Sequence, residues 1–192
     1  MDPTERRELI LTAARRAFAS RPYEEVSLAE VAQEAQASEA LVHKYFAGKA
    51  GLYAQVLQRA ADELAERTRQ ADDALPEGSS ARDRVRTSIL TYLDFIAERS
   101  PGWMAYQILA GHEPGEAAQV RQAARGAALA ALSDVVGGRR GHRDDFALWG
   151  YLGFLDDACL RWVHAGCPDD QRHSLVDAAL GCLEGALGDW RT

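Results

Sequence analysis

The chain has 192 residues, 47% hydrophobic and 27% charged, and its 22 Lys and Arg against 29 Asp and Glu leave a net charge of -7. So large an apolar share supports a substantial core and rules out disorder over most of the length, while the acidic balance rules out a histone-like coating of nucleic acid. The opening MDPTERRE lacks the apolar centre of a signal peptide, and no stretch reaches the roughly 18 unbroken apolar residues of a membrane span, so a cytoplasmic protein without a membrane partner is expected.

Apolar residues recur at helical spacing along nearly the whole chain and no useful segment alternates with period two, which predicts an all-α protein of about nine helices. The first runs from about Thr4 to Ser20, with Leu9, Ile10, Ala13, Ala14, Ala17 and Phe18 on one face, and stops before Pro22. Ser27-Leu28-Ala29-Glu30 is a capping box that opens a short helix to Ala35. Ser38 caps another ending near Phe46, and Gly48-Lys49 opens a long helix carrying Leu52, Tyr53, Val56, Leu57, Ala60 and Leu64. The run from Asp72 to Ser80 is rich in helix-breaking residues and predicts a loop. A helix restarts at Ser80 with Val85, Ile89, Tyr92, Phe95 and Ile96 as its stripe, followed by a short helix from Trp103 to Ala110. Three more are expected: Glu116 to Val136, Asp144 to Ala165, and Asp169 to Trp190.

Three short helices, with Ala35-Gln36-Ala37-Ser38 between the second and third, have the spacing of a helix-turn-helix. Residue by residue, Ile10 to Leu57 resembles the amino-terminal DNA-binding domain of the TetR family of bacterial transcriptional regulators. The resemblance rests on Ala13, Ala14 and Phe18 in the first helix, on Val26 before the capping Ser27, and on the pair Val31-Ala32. It continues through Ser38, the aromatic pair Tyr45-Phe46, Lys49 and Leu52. It implies a DNA-binding domain over residues 1–48 and a ligand-binding and dimerisation domain over 49–192. By the same resemblance Ser27 and Tyr45 hydrogen-bond phosphates, Lys49 adds a charge at a helix start, and the helix opening at Ser38 reads bases through Glu39, Ala40, Leu41, His43 and Lys44.

Two features of this segment depart from a simple DNA binder. Gln36 stands in the turn where the family usually has Gly, so a left-handed backbone there costs on the order of 1 kcal/mol. Residues 1–50 hold seven basic against eight acidic residues, so affinity depends on where Arg6, Arg7, Lys44 and Lys49 point.

Within the carboxy-terminal part the resemblance implies a small-molecule effector held among the central helices. Tyr92, Phe95, Trp103, Tyr106, Gln107 and His112 form an aromatic and polar cluster there, joined by Trp149 and Asp156, which suits a largely apolar molecule held by a few polar groups. Asp156 interrupts an apolar stripe and needs a partner, either a ligand or an interface hydrogen bond. In the last helix Val176, Leu180, Leu183 and Leu187 follow steps of four, three and four, the seam of a helix packed lengthwise on another. With Leu160 they are the residues expected to form a homodimer, the family's four-helix bundle.

Cys159, Cys167 and Cys182 are odd in number and lack a CxxC pair, which predicts reduced structural thiols. His164, Cys167 and His173 lack a second compact ligand pair, so no metal site is expected. GxSxG, Walker A, HExxH and GxGxxG motifs are all absent, so neither a cofactor nor an enzyme is expected. The resemblance to the TetR family implies a homodimeric regulator, a repressor released from a palindromic operator by a small molecule. The alternative is a helical small-molecule-binding protein or enzyme without sequence-specific DNA binding, distinguished by having no salt-dependent DNA affinity.

Overall fold

A computed structural model describes residues 2–99, 101–103, 107, 113–138 and 141–188. Among them are eight α-helices: α1 Pro3–Ser20, α2 Leu28–Glu34, α3 Glu39–Phe46, α4 Lys49–Asp73, α5 Ala81–Ala97, α6 Gly115–Val135, α7 His142–His164 and α8 Arg172–Leu187. Short 3-10 turns occupy Tyr23–Glu25 and Asp169–Gln171, and residues 101–103 are also helical. The protein is all-α, as the periodicity predicted.

The helix boundaries have local causes. Pro3 stands in the first turn of α1 and the Glu5 carboxylate accepts from the Asp2 amide at 3.1 Å. Arg21, pushed out of the helical region by Pro22, leaves the chain extended. Ser27 and Glu30 form the reciprocal capping box read from the sequence, and Ser38 and Ser80 each accept an amide three residues on. The predicted loop begins two residues later than its composition suggested, since α4 continues through Asp73, whose carboxylate pairs with Arg69 at 2.6 Å.

The chain forms two compact units. The first comprises residues 1–62 and 99–124. Its core is built from Ile10, Ala14 and Phe18 of α1, Val31 of α2, Val42 and Phe46 of α3, Leu52 and Val56 of α4, and Ala117 of α6. Gly102 belongs here for a steric reason: a Cβ on it would lie 2.5 Å from the Phe18 carbonyl oxygen and 2.8 Å from that of Ala19. The backbone at Gly102 therefore lies directly on the end of α1. The buried Glu113 carboxylate, 6% exposed, is neutralised by Arg121, whose Nε lies 2.7 Å away. Burial, followed by the nearby Glu113 charge, pushes the Tyr53 phenol up to about 12, so it stays protonated at physiological pH.

The second unit comprises residues 63–98 and 125–192. Here α8 packs on α7 and on α5, and Leu93, Leu148, Cys159 and Leu180 lie in the interior. Ion pairs from α5 fasten its neighbours: Arg84 holds Asp72 at 2.8 and 2.5 Å, Arg82 holds Glu184 at 2.8 Å, and Arg86 holds Asp177 at 2.6 Å. Because these pairs are partly exposed, each adds little by itself; the first ties α5 to the end of α4, and the other two tie it to α8.

This packing takes Val176, Leu180 and Leu183 out of the expected dimer seam. Val176, Leu180 and Leu183 are each 0% exposed within a single chain, and Leu160 and Leu187 are half-buried. The steps of four and three do mark a helix packed lengthwise, but its partners are α5 and α7 of the same protomer. Among the described residues of this unit, the large apolar side chains left outside are Phe146, 78% exposed, Trp149, 50%, and Phe154, 37%, all on α7. A Cβ at Gly150, Gly153, Gly181 or Gly185 would meet nothing within 4 Å.

Candidate nucleic-acid interface and ligand cluster

The helix-turn-helix is built from α2, a turn and α3. Gln36 adopts φ 51°, the left-handed conformation expected where a glycine is usual, and the Ala37 amide closes the turn on the Ala32 carbonyl at 2.8 Å. At the far end of α3, Ala47 is again left-handed at φ 55° and Gly48 follows at φ 101°. A Cβ on Gly51 would come within 2.0 Å of the Phe46 carbonyl oxygen. Helix α4 therefore starts hard against the end of α3, a constraint that leaves no trace in hydrophobic pattern.

On α3, Val42 and Phe46 are buried, Leu41 and Tyr45 half-buried, and Glu39, Ala40, His43 and Lys44 exposed. One face of the helix is thus anchored and the other presents two ionisable donors and an acidic side chain. The His43 ring also lies along Gly48, 3.4 Å from where a Cβ would stand, which limits its rotamers. Tyr45 meets Phe46 edge-on, with 6.3 Å between ring centroids.

The expected phosphate contacts are occupied to different degrees. Ser27 Oγ accepts the Glu30 amide at 3.1 Å, so its hydroxyl hydrogen remains available to donate to a phosphate. Glu30 is held charged, its pKa lowered first by the Ser27 backbone amide and then by Arg21, 3.3 Å away. Ser38 Oγ accepts from the Leu41 amide at 3.2 Å. Lys49 Nζ donates to the Glu24 carbonyl at 3.3 Å and stands 4.2 Å from the centre of the Tyr23 ring. Desolvation in that position pushes the ammonium pKa down, opposed by Glu24.

Arg6 and Arg7 turn toward the protein. Arg6 Nη1 donates to the Gln36 carbonyl at 2.8 Å. Arg7 donates to Gln55 Oε1 at 2.9 Å and lies over the Phe46 ring, 5.0 Å from its centre. Arg16 pairs with Glu34 at 3.3 Å. Much of the positive charge counted in this segment is therefore spent on structure.

The sequence profile of the family described as bacterial regulatory proteins, tetR family, matches residues 10–56, which contain this whole arrangement. The HTH-type transcriptional activator FasR of Mycolicibacterium smegmatis is 31% identical over 187 residues, covering 95% of this chain and 83% of that protein. The chain belongs to the TetR family. A crystal structure of a tetR-family transcriptional regulator from Streptomyces coelicolor superposes with a TM-score of 0.78 at 25% identity, covering 97% of this chain and 80% of that one. The fold is shared as well by FadR from Bacillus subtilis, solved with stearoyl-CoA, at a TM-score of 0.71 and 18% identity over 94% of this chain and 97% of that one. This TetR-family protein is accordingly a DNA-binding transcriptional regulator and not an enzyme.

Three of the ligand residues expected in the regulator meet around an arginine that no sequence pattern singles out. Asp156 Oδ2 accepts from Arg125 Nη1 at 2.5 Å and its Oδ1 from the Tyr92 hydroxyl at 3.3 Å. The Arg125 guanidinium lies 5.4 Å from the centre of the Trp149 ring. Asp156 thus has the partners that its place in an apolar stripe demanded. Phe95 is buried, with the Arg67 guanidinium 5.8 Å from its ring centre. Trp103 and Gln107 are half-buried and belong to the first unit, whereas Tyr106 and His112 lie outside the described residues. Arg125 could have been found from its i+31 partner only by knowing how α6 and α7 pack.

An open depression of about 620 Å³ lies between α4 and α5, lined by Arg67, Gln70, Thr91, Asp94 and Glu98 among others. Its charged groups are ion-paired, with Arg67 bridging Glu63 at 2.7 Å and Glu98 at 2.8 Å, and it does not include the Asp156 cluster. Cys159 is buried, and burial followed by the Asp156 charge pushes its thiol up to about 12, which keeps it protonated and unreactive. No helix among the described residues is long and apolar enough to cross a membrane.

Proposed function

We propose that this TetR-family regulator is a cytoplasmic homodimer that binds a palindromic operator through α3 and responds to a small, largely apolar effector. Residues 1–48 read DNA, and residues 49–192 bind the effector and form the dimer. The observation that carries the reading is α3: a helix fixed by Val42 and Phe46 that exposes Glu39, Ala40, His43 and Lys44 together, while Ser27, Ser38 and Lys49 stand at the starts of consecutive helices. Two such helices, about 34 to 36 Å apart for half-sites one turn apart, would enter successive major grooves. Tyr45 and Leu41 complete the set, the first toward a phosphate and the second toward a thymine methyl.

The effector would bind in the carboxy-terminal part, with Tyr92, Asp156 and Trp149 presented around Arg125 and with Phe95 of the same unit contributing. The Bacillus subtilis FadR structure holds stearoyl-CoA, whose acyl chain is apolar although its head is large and charged. Effector binding releases DNA only where it favours the conformation that does not bind DNA, a coupling typically worth about 1 to 3 kcal/mol. Repression by occupying a promoter is the simplest output. Activation is the second reading, favoured by the name of the FasR relative. A promoter-reporter assay with and without the regulator gives opposite signs for the two.

Fluorescence-anisotropy binding to DNA from immediately upstream of the gene, against scrambled DNA over a salt series, tests the DNA-binding role. Lys49→Ala should weaken both duplexes and lower the salt slope by about one, whereas Lys44→Ala should change which duplex is preferred. Equal weakening of every sequence by both variants would remove Lys44 from base reading.

A further inference from the structure

The two arginines at the start of α1 hold the recognition helix from both ends. Arg7 lies over the ring of Phe46, at the last turn of α3, and reaches Gln55 of α4. Arg6 reaches the other end, where its guanidinium donates to the carbonyl of Gln36 in the turn before α3. Gln36 is a non-glycine residue with φ 51°, a conformation that an L side chain rarely adopts without a compensating contact. A charged donor on its carbonyl at 2.8 Å is such a contact.

We propose that Arg6 is a positioning residue for DNA recognition: it clamps the left-handed Gln36 turn and thereby sets the register of α3, and it is not a phosphate contact. Charge alone would place an arginine near the amino terminus of a DNA-binding domain on the DNA backbone. The geometry directs it inward instead, so its loss should alter discrimination between sequences and not the electrostatic part of binding. Because the clamp answers a strain created by Gln36, the need for it should vanish when a glycine replaces that residue. The inference rests on the DNA-binding role of α3, and its test carries a readout that needs no DNA.

The experiment compares the full-length protein with Arg6→Ala, Gln36→Gly and the double variant. The DNA probe is a duplex selected by the unmodified protein from a random-sequence library, set against a scrambled duplex over a potassium chloride series. Amide exchange of the peptide covering residues 33–41 is followed in the absence of DNA. With Arg6→Ala we expect the preference for the selected duplex to fall on the order of tenfold, the loss appropriate to one hydrogen bond from a charged donor. The salt slope on the scrambled duplex should stay unchanged, and exchange over 33–41 should accelerate by a similar factor. In the Gln36→Gly background the same substitution should cost less than about twofold in both readouts. Three results would each overturn the proposal: a salt slope lowered by about one on both duplexes with preference intact, an equal loss in the parent and Gln36→Gly backgrounds, or no change in exchange. If Arg6→Ala fails to fold by circular dichroism, Arg6→Met, which keeps the apolar stem and removes the donors, takes its place with the same expected outcomes. Failure of the unmodified protein to select any duplex would count against the DNA-binding role, while the exchange comparison would still decide the clamp.

Discussion

Gly51 shows how much a single missing methyl group can matter. The Phe46 carbonyl oxygen occupies the place a Cβ would take, at 2.0 Å, and because the obstacle is backbone it cannot swing aside as a side chain could. Gly51→Ala should therefore separate α3 from α4 and destabilise the first unit by about 3 kcal/mol, measured as a lowered urea midpoint with helical content retained below the transition. A variant as stable as the parent would mean that α4 can start further from Phe46 without loss. Gln36 is the converse case, a residue with a side chain in a conformation that suits glycine, kept there by its neighbours. Asp156 makes the third residue-level point: a carboxylate in an apolar stripe is not left bare, and its partners come from α5 and α6.

Among the elements, α8 is the one whose apolar pattern is also used inside the protomer. A row of apolar residues at steps of four and three states only that the helix lies along another helix. Leu183, fully buried against α5 and α7, now carries a different consequence from the one expected of a dimer seam. Leu183→Asp would bury an unpaired charge in the protomer, so it should unfold the second unit, at a cost of at least about 3 kcal/mol, and not release a folded monomer. Circular dichroism melting together with size-exclusion separates the two, and a well-folded monomer would return Leu183 to the interface. Helix α4 carries another element-level lesson: its first turns help build the core around Ile10 and Phe18, whereas its last turns are pinned by Arg84 on Asp72.

For the molecule as a whole, the residues left uncovered matter more than the residues packed. Phe146, Trp149 and Phe154 on α7 leave apolar side chains in water, and Gly150, Gly153, Gly181 and Gly185 have open space beside them. We expect this surface, and not the Leu183 seam, to join the two subunits. Phe146→Asp with Phe154→Asp should shift sedimentation from dimer to monomer and leave the helical spectrum unchanged, since both side chains are exposed in the protomer. It should also weaken operator binding, because a monomer holds one half-site only. A double variant that still sediments as a dimer would place the interface elsewhere.

The sequence by itself determined the helical class, the ends of α2, α3 and α5, and the family. Each of these is written in local spacing: a serine three residues before a carboxylate, a proline after α1, an aromatic pair at the end of the recognition helix. The left-handed turn at Gln36 was legible in the same way, from where a glycine is usual. What only the tertiary structure decided is the choice of partner. Arg6 turns to a carbonyl thirty residues on, Arg125 to Asp156 thirty-one residues on, and the apolar seam of α8 to its own protomer. Helical periodicity records which side of a helix is covered but contains nothing about what covers it, because any apolar surface of the right shape satisfies the hydrophobic effect equally.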